Sequence, residues 1–508
     1  MKTYDSDMKE TYSKCLQRMK EIAALGAAAG LLGWDQETMM PERASRARAE
    51  QSAALAGVIH ERFIHPSVGE MLRQLADSPT ALAPDHRVNV REWLHDYEKA
   101  TRLPTDLVKE LAKTATLSQR AWITAREKSD FAIFSPWLTK MIALKQRQAE
   151  AYGYEDIPYD ALLDDYERGM TDKLLRPVIE EVRKGLVPMV TAISESRLKS
   201  DVSFLSRSYP EPKQEELCRE IMAAMGVDEK ASRLDRSVHP FCCGLDPTDV
   251  RITTRYNRKW LPQALYGVMH ESGHALYEQG LEEKHSGTPL GEAISLGIHE
   301  SQSRLWENMI GRSRPFVSYI FPRLKKRFPT SLRGVGPEGF YRAINRVVPS
   351  PIRVEADEVT YNLHIALRYE IEKGFIAGEI KVNELPRLWN EKMKSYLGIR
   401  PKNDAEGVLQ DTHWAQGLVG YFPTYLLGNL YAAQWWHKLS GDIRGVEKKI
   451  AHGEFAPILD WLRSNIHRHG RRYNAVELVE RVTGRPLGAL HFLDYLKKKY
   501  GQIYGIKW

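Results

Sequence analysis

The sequence predicts a mainly α-helical protein with little strand. Three observations carry that expectation. Apolar residues recur at helical spacing through most of the 508 residues. The clearest run of strand character is short, Asp249 to Tyr256. Pro and Gly punctuate the chain without forming a linker, a low-complexity segment or an internal repeat. One domain over residues 1–508, with at most two lobes, is the simplest organisation.

Taken in order, Thr11 to about Ala28 has the periodicity of an amphipathic helix. Gly33 to Pro41 separates it from a second helix, Ser45 to Arg62. Further helices are expected over Asp85–Ala100, Pro104–Lys128 and Phe134–Tyr152. The strand Asp249–Tyr256 is β-branched and alternating, and it follows the turn signal Gly244-Leu245-Asp246-Pro247. A strand beside the chemistry can hold an extended peptide by main-chain pairing, or can be merely structural. After it come an apolar helical stretch around Val268–Tyr277, a turn-rich break from Gly280 to Gly291, and a helix marked by Ile294, Ile298, Leu305 and Met309.

Charged residues make up 27% and hydrophobic ones 43%, an ordinary soluble balance. A net charge of +7 on a chain this long, with no basic block interleaved with aromatics, gives no sign of nucleic-acid binding. Lys325-Lys326-Arg327 and Lys497-Lys498-Lys499 read as solvated helix faces. The small-apolar run Ala23–Trp34 is too short and too rich in glycine to span a bilayer, and the N-terminus shows no signal-peptide pattern. Cys15, Cys218, Cys242 and Cys243 have no zinc or redox spacing, which fits a reducing, cytoplasmic setting.

The chemistry is carried by His270-Glu271-Ser272-Gly273-His274. Residues four apart lie one turn above each other on a helix, so His270 and His274 can face one divalent ion. Glu271 is then placed to take a proton from a water at that ion, and zinc is the default metal for such a pair. A third protein donor is needed. Glu300, in His299-Glu300-Ser301-Gln302-Ser303-Arg304, is the best candidate if the two helices pack side by side. Its competitors are His299 as ligand, or Glu300 spent on a salt bridge with Arg304. Arg353 follows Val348-Pro349-Ser350-Pro351-Ile352; its planar fork suits a carboxylate, although on the residues alone a structural pair with Glu355 or Asp357 is the favoured reading. His413, Tyr421 and Tyr425 offer hydrogen-bond donors for an oxyanion, or form a buried network.

Six ordered motifs resemble the carboxypeptidase Taq family of metallopeptidases: His239-Pro240-Phe241, Asp249-x-Arg251-x-Thr253, His270-Glu271-x-x-His274, His299-Glu300-Ser301-Gln302, Ile352-Arg353-x-x-Ala356-Asp357, and Gly407-x-x-Gln410-Asp411-x-His413-Trp414. The likeness runs from Trp34-Asp35-Gln36-Glu37-Thr38 to Asn465-Ile466-His467-Arg468-His469-Gly470. It departs from the family pattern at Ser272, where a second glycine is usual, and at Arg168, where proline is usual. The resemblance implies a large helical, saddle-like metallopeptidase fold with a deep groove and a small sheet beside the active-site helix, assembled as a cytoplasmic homodimer. It implies a zinc carboxypeptidase, often activated by cobalt, that releases C-terminal residues from peptides with a free C-terminus, with broad specificity and poor action before proline. Carried onto this chain, His270, His274 and Glu300 are the metal ligands and Glu271 the general base, with Arg353, His413, Tyr421 and Tyr425 as substrate-binding candidates. The rival readings are a metallo-oligopeptidase or endopeptidase using the same site, and a non-catalytic helical scaffold that only binds peptides.

Overall fold

A computed structural model describes residues 2–508, with side chains from residue 7 onward. The chain opens on α1 (Lys2–Thr38) and α2 (Ser45–Phe63), a helical hairpin. α3 (Pro66–Ala76) and α4 (Pro84–Arg102) pack at its base, and α5 (Thr105–Lys128) and α6 (Phe131–Tyr152) form a second pair. The short α7 (Pro158–Leu163), then α8 (Asp172–Glu195) and α9 (Glu211–Met225), lead into the strands β1 (Ser232–Arg236), β2 (Cys242–Asp246) and β3 (Asp249–Thr254). The rest is helical again: α10 (Leu261–Glu278), α11 (Leu296–Arg304), α12 (Arg314–Arg327), α13 (Pro337–Ile344), α14 (Tyr361–Ile376), α15 (Leu385–Leu397) and α16 (Phe422–Asp442). It closes with α17 (Val446–His452), α18 (Ala456–Asn465), α19 (Ala475–Thr483) and α20 (Leu490–Tyr504). The mainly helical class with a small sheet is therefore as the sequence led us to expect.

The first helix is longer than its periodicity indicated. Met8, Tyr12, Cys15, Met19 and Ile22 form a buried stripe against α3 and α4, a small core of their own. Beyond Ile22 that stripe stops, yet the helix runs on to Thr38 through a segment whose alanines and leucines favour the helix against Gly26, Gly30 and Gly33. Gly30 marks a close approach: a Cβ on it would meet Leu245 Cδ2 at 2.8 Å, so α1 lies directly on β2. Trp34 anchors the far end, buried against the sheet with the guanidiniums of Arg233 and Arg251 at 4.8 and 4.5 Å from its ring centroid. α2 buries no side chain fully and is held by pairs such as Arg48–Asp35 at 2.6 Å.

The sheet has the order β1-β3-β2, with β1 parallel and β2 antiparallel to β3. The recognisable strand is thus the central one, and its main-chain groups are already paired on both sides. Of the two readings of Asp249–Tyr256, the central position favours the structural one; pairing with an extended peptide would fall to an edge, β1 or β2. Both edges escaped sequence detection because Ser232–Arg236 and Cys242–Asp246 lack apolar alternation. The larger core lies beneath the sheet and between α10, α11, α14 and α16, and α10 is enclosed on most of its faces.

Candidate active site

Two glycines bring the functional side chains together. A Cβ on Gly273 of α10 would lie 2.6 Å from Ser303 Cα and 2.7 Å from the Gln302 carbonyl oxygen, so α11 rests against α10 backbone to backbone. On the other side of α11, a Cβ on Gly428 of α16 would meet Glu300 Cγ at 2.5 Å. The start of α11 is held as well. Ser295 caps it, accepting from the Ile298 N–H at 3.1 Å, and the buried Glu167 carboxylate accepts from Gly297 N–H, Ser295 Oγ and Tyr431 OH. Glu300 has nowhere to go but over the two histidines.

We expect Gly428→Ala to cost about 1–3 kcal/mol of stability through overpacking and to weaken metal retention by displacing Glu300. Thermal unfolding of the metal-free protein and competition with a chelator read the two effects. If both stay at wild-type values, α16 has retreated and Glu300 is not held by this contact.

The resulting cluster is His270, His274 and Glu300, with one donor atom from each lying within 4.8 Å of the others. Glu300 Oε2 is 3.6 Å from His270 Nε2 and 3.5 Å from His274 Nε2. Its second oxygen accepts from Arg304 Nε at 2.7 Å. The ligand position and the Arg304 salt bridge, which looked like alternatives in the sequence, are thus occupied together by the two oxygens of one carboxylate. Burial opposes ionisation of Glu300, but Arg304 and the histidines hold it well below the usual carboxylate range.

The outer nitrogens of both histidines are already engaged. His270 Nδ1 donates to Glu307 Oε2 at 3.0 Å, and Glu307 is itself braced by Arg304 and by Arg312 at 3.1 Å. Glu307 sits on a π-helical turn, Leu305–Ile310, that continues α11. His274 Nδ1 meets His299 Nδ1, and His299 Nε2 lies 2.7 Å from Glu278 Oε1. Glu278 can only accept, so His299 donates from Nε2 and accepts from His274 through Nδ1. Both ligand candidates therefore have Nε2 on the side of Glu300, the nitrogen open to a cation that displaces any proton held there. Two imidazoles and one carboxylate fit a borderline divalent cation such as zinc, and three protein donors are the set that leaves a tetrahedral ion one position for water. His299, the competitor for third ligand, stands behind His274 rather than in the donor set.

Glu271 is on the same helix, 6% exposed, and burial pushes its carboxyl up to about 7. Ser272, the departure from the family pattern, is fully buried, and its Oγ has no hydrogen-bond partner. Arg168 contacts Glu92, a buried carboxylate that Arg91 and Arg471 also approach.

The second half of the site comes from the loop before α14, from α14 and α16, and from the segment 407–421. Arg353 is buried at 5% exposure and does not pair with Glu355 or Asp357. It forks onto Asp411, with Nη2 at 2.8 Å from Oδ1 and Nε at 3.2 Å, and Nη1 donates to Tyr361 OH at 3.0 Å. Asp357 instead accepts from the N–H groups of Val348, Val359 and Thr360. Arg368 shares Asp411, at 2.6 Å. One carboxylate thus serves two guanidiniums. His413 Nε2 is 3.4 Å from Tyr425 OH, and the Tyr421 ring lies 5.4 Å from His413 and 5.3 Å from Tyr425. Burial takes His413 down to about 4, so it is a neutral hydrogen-bonding group rather than a cation. Sequence reasoning did not single out Glu307, Glu278 or Tyr361; for Glu307 the signal was its spacing of seven from Glu300, two turns along the same face.

The comparisons with known proteins agree with one another. The family profile described as carboxypeptidase Taq (M32) metallopeptidase matches residues 14–500. A thermostable carboxypeptidase from Thermus thermophilus is 46% identical over 505 residues, covering 97% of this chain and 99% of that protein. A carboxypeptidase from Bacillus subtilis is 40% identical over 495 residues, with the same coverage. Among solved structures, the M32 carboxypeptidase of Deinococcus radiodurans superimposes with a TM-score of 0.95 at 38% identity, covering 98% of this chain and all of that one. A Pyrococcus furiosus carboxypeptidase does so at 0.94 and 39%, covering 97% of this chain and 99% of that one. The chain belongs to the carboxypeptidase Taq (M32) family of metallopeptidases.

Proposed function

We propose that this metallocarboxypeptidase removes C-terminal residues from peptides at a site where His270, His274 and Glu300 hold a zinc ion and Glu271 is the general base. The observation that carries the reading is the donor set itself, two inward-facing Nε2 atoms and one carboxylate oxygen with an unengaged buried carboxylate, Glu271, on the adjoining helical position. A divalent cation held there would polarise the scissile carbonyl and lower the pKa of an attacking water toward about 7. Glu271 takes the proton as that water attacks and returns it to the leaving amine. Tyr421, Tyr425 and the neutral His413 supply hydrogen bonds rather than charge to the developing oxyanion.

Arg353 is the receiver of the substrate's free carboxylate. What supports this is the local charge balance: Arg353 and Arg368 share Asp411, which leaves one buried positive charge among these three groups for an incoming anion to compensate. An endopeptidase has no use for such a charge at a set distance from its metal. We also propose a cytoplasmic homodimer, supported by the family likeness and by four cysteines that are all free. Among the described residues, no helix is long and apolar enough to cross a membrane.

Incubating the metal-loaded enzyme with an N-terminally blocked peptide should produce a ladder shortening from the C-terminus, read by mass spectrometry. Internal cleavage would contradict the reading. We expect Arg353→Ala to lose at least about tenfold in kcat/KM on free-carboxylate peptides, because truncating one partner of a buried charge pair costs about 2–5 kcal/mol. On C-amidated peptides, poor substrates from the start, it should change little. Equal losses on both would mean that Arg353 holds the fold and that another group receives the carboxylate.

A further inference from the structure

The two halves of the site come from separate parts of the chain. The metal-ligand candidates stand on α10 and α11, while Arg353 stands on the turn before α14 and is held by Asp411 from the segment that follows α15. A carboxypeptidase needs these halves at one fixed separation, because the distance from carboxylate receiver to scissile bond decides that a single residue is released. One side chain touches both. The Tyr361 hydroxyl accepts from Arg353 Nη1 at 3.0 Å. The face of the same ring lies 4.8 Å from the Arg304 guanidinium, whose Nε bonds Glu300 Oε1 at 2.7 Å. Tyr361 is 8% exposed and forms the first residue of α14, so its own position is set by that helix.

We infer that Tyr361 is a positioning residue that couples the carboxylate-binding half of the site to the metal-binding half, its hydroxyl aiming Arg353 and its ring bracing Arg304 against Glu300. The inference rests on the reading of Arg353 given above. The two functions reside in different atoms of one side chain, and substitution separates them. A hydroxyl accepting from a guanidinium fixes one of its three nitrogens, which leaves the Asp411 fork intact when it is lost. A ring stacked on Arg304 restrains that guanidinium on Glu300 Oε1, which leaves Oε2 facing the two histidines.

The test compares Tyr361→Phe, Tyr361→Leu and Arg353→Ala with the wild-type enzyme, using a peptide with a free C-terminus and, separately, Zn²⁺ alone in competition with a chromogenic chelator. For Tyr361→Phe the expected result is a KM raised about tenfold, kcat within about twofold, and zinc affinity unchanged. For Tyr361→Leu the KM should rise as well, and zinc affinity should fall at least about tenfold, as on losing an outer-sphere partner. A merely structural tyrosine would not split in this way. A wild-type KM in Tyr361→Phe, with KM raised in Arg353→Ala, overturns the coupling while leaving the Arg353 reading in place. Loss of zinc affinity in Tyr361→Phe equal to that in Tyr361→Leu also overturns it. A wild-type KM in Arg353→Ala overturns the Arg353 reading, and this inference with it. Should Tyr361→Leu not fold, Tyr361→Phe still decides, since it keeps the ring and the packing.

Discussion

Glu271→Gln is expected to keep its metal and to lose roughly 10²–10⁴-fold in turnover, the range that a positioned acid–base group contributes. The substitution is nearly isosteric and leaves the three donor atoms untouched, since Glu271 lies outside the cluster they form. What disappears is the ability to take a proton from the attacking water and to return it to the amine. Elemental analysis of the purified variant and its rate on one peptide decide the matter together. Substantial activity in a metal-replete variant would remove Glu271 from the role of base.

The second large effect concerns the choice between neighbours at positions 299 and 300. Glu300→Ala should lower metal affinity and activity together, and by more than the roughly 10–100-fold that loss of an outer-sphere partner costs. It removes one of three donors and also leaves Arg304 without its 2.7 Å partner. His299→Ala should show only the outer-sphere loss, because His299 supports His274 from behind through the chain that ends on Glu278. Metal affinity by chelator competition orders the two variants. If His299→Ala lost the metal and Glu300→Ala retained it, the donor set would be wrong.

The contrast between these two residues shows how far short-range pattern reaches. His270, Glu271 and His274 were legible because one helical turn brings them together, and helical periodicity around them is local. At 299 and 300 the same local pattern left the alternatives open. What sets Glu300 rather than His299 beside the two histidines is Gly273 against Ser303 and Gly428 against Glu300, contacts between helices far apart in sequence. Arg353 is a similar case. Its sequence neighbours Glu355 and Asp357 looked like partners, while the residue it actually bonds, Asp411, is 58 positions away. The central place of β3 was hidden for a related reason: a strand's own alternation says which face is buried, not how many neighbours its edges have.

By itself, then, the sequence determined the helical class and, through six ordered motifs, the family, and it pointed to His270, His274 and Glu271 as the candidate metal pair and base. Each depends on residues within one or two turns of each other or on motifs recognised one at a time. Only the tertiary structure decided which oxygen of Glu300 faces the histidines, which nitrogen each histidine presents, what Arg353 is paired with, and that Tyr361 touches both halves of the site. Those outcomes are set by side chains from distant segments packed at van der Waals and hydrogen-bond distance, where a shift of an ångström changes the partner. No spacing along the chain encodes an ångström across it.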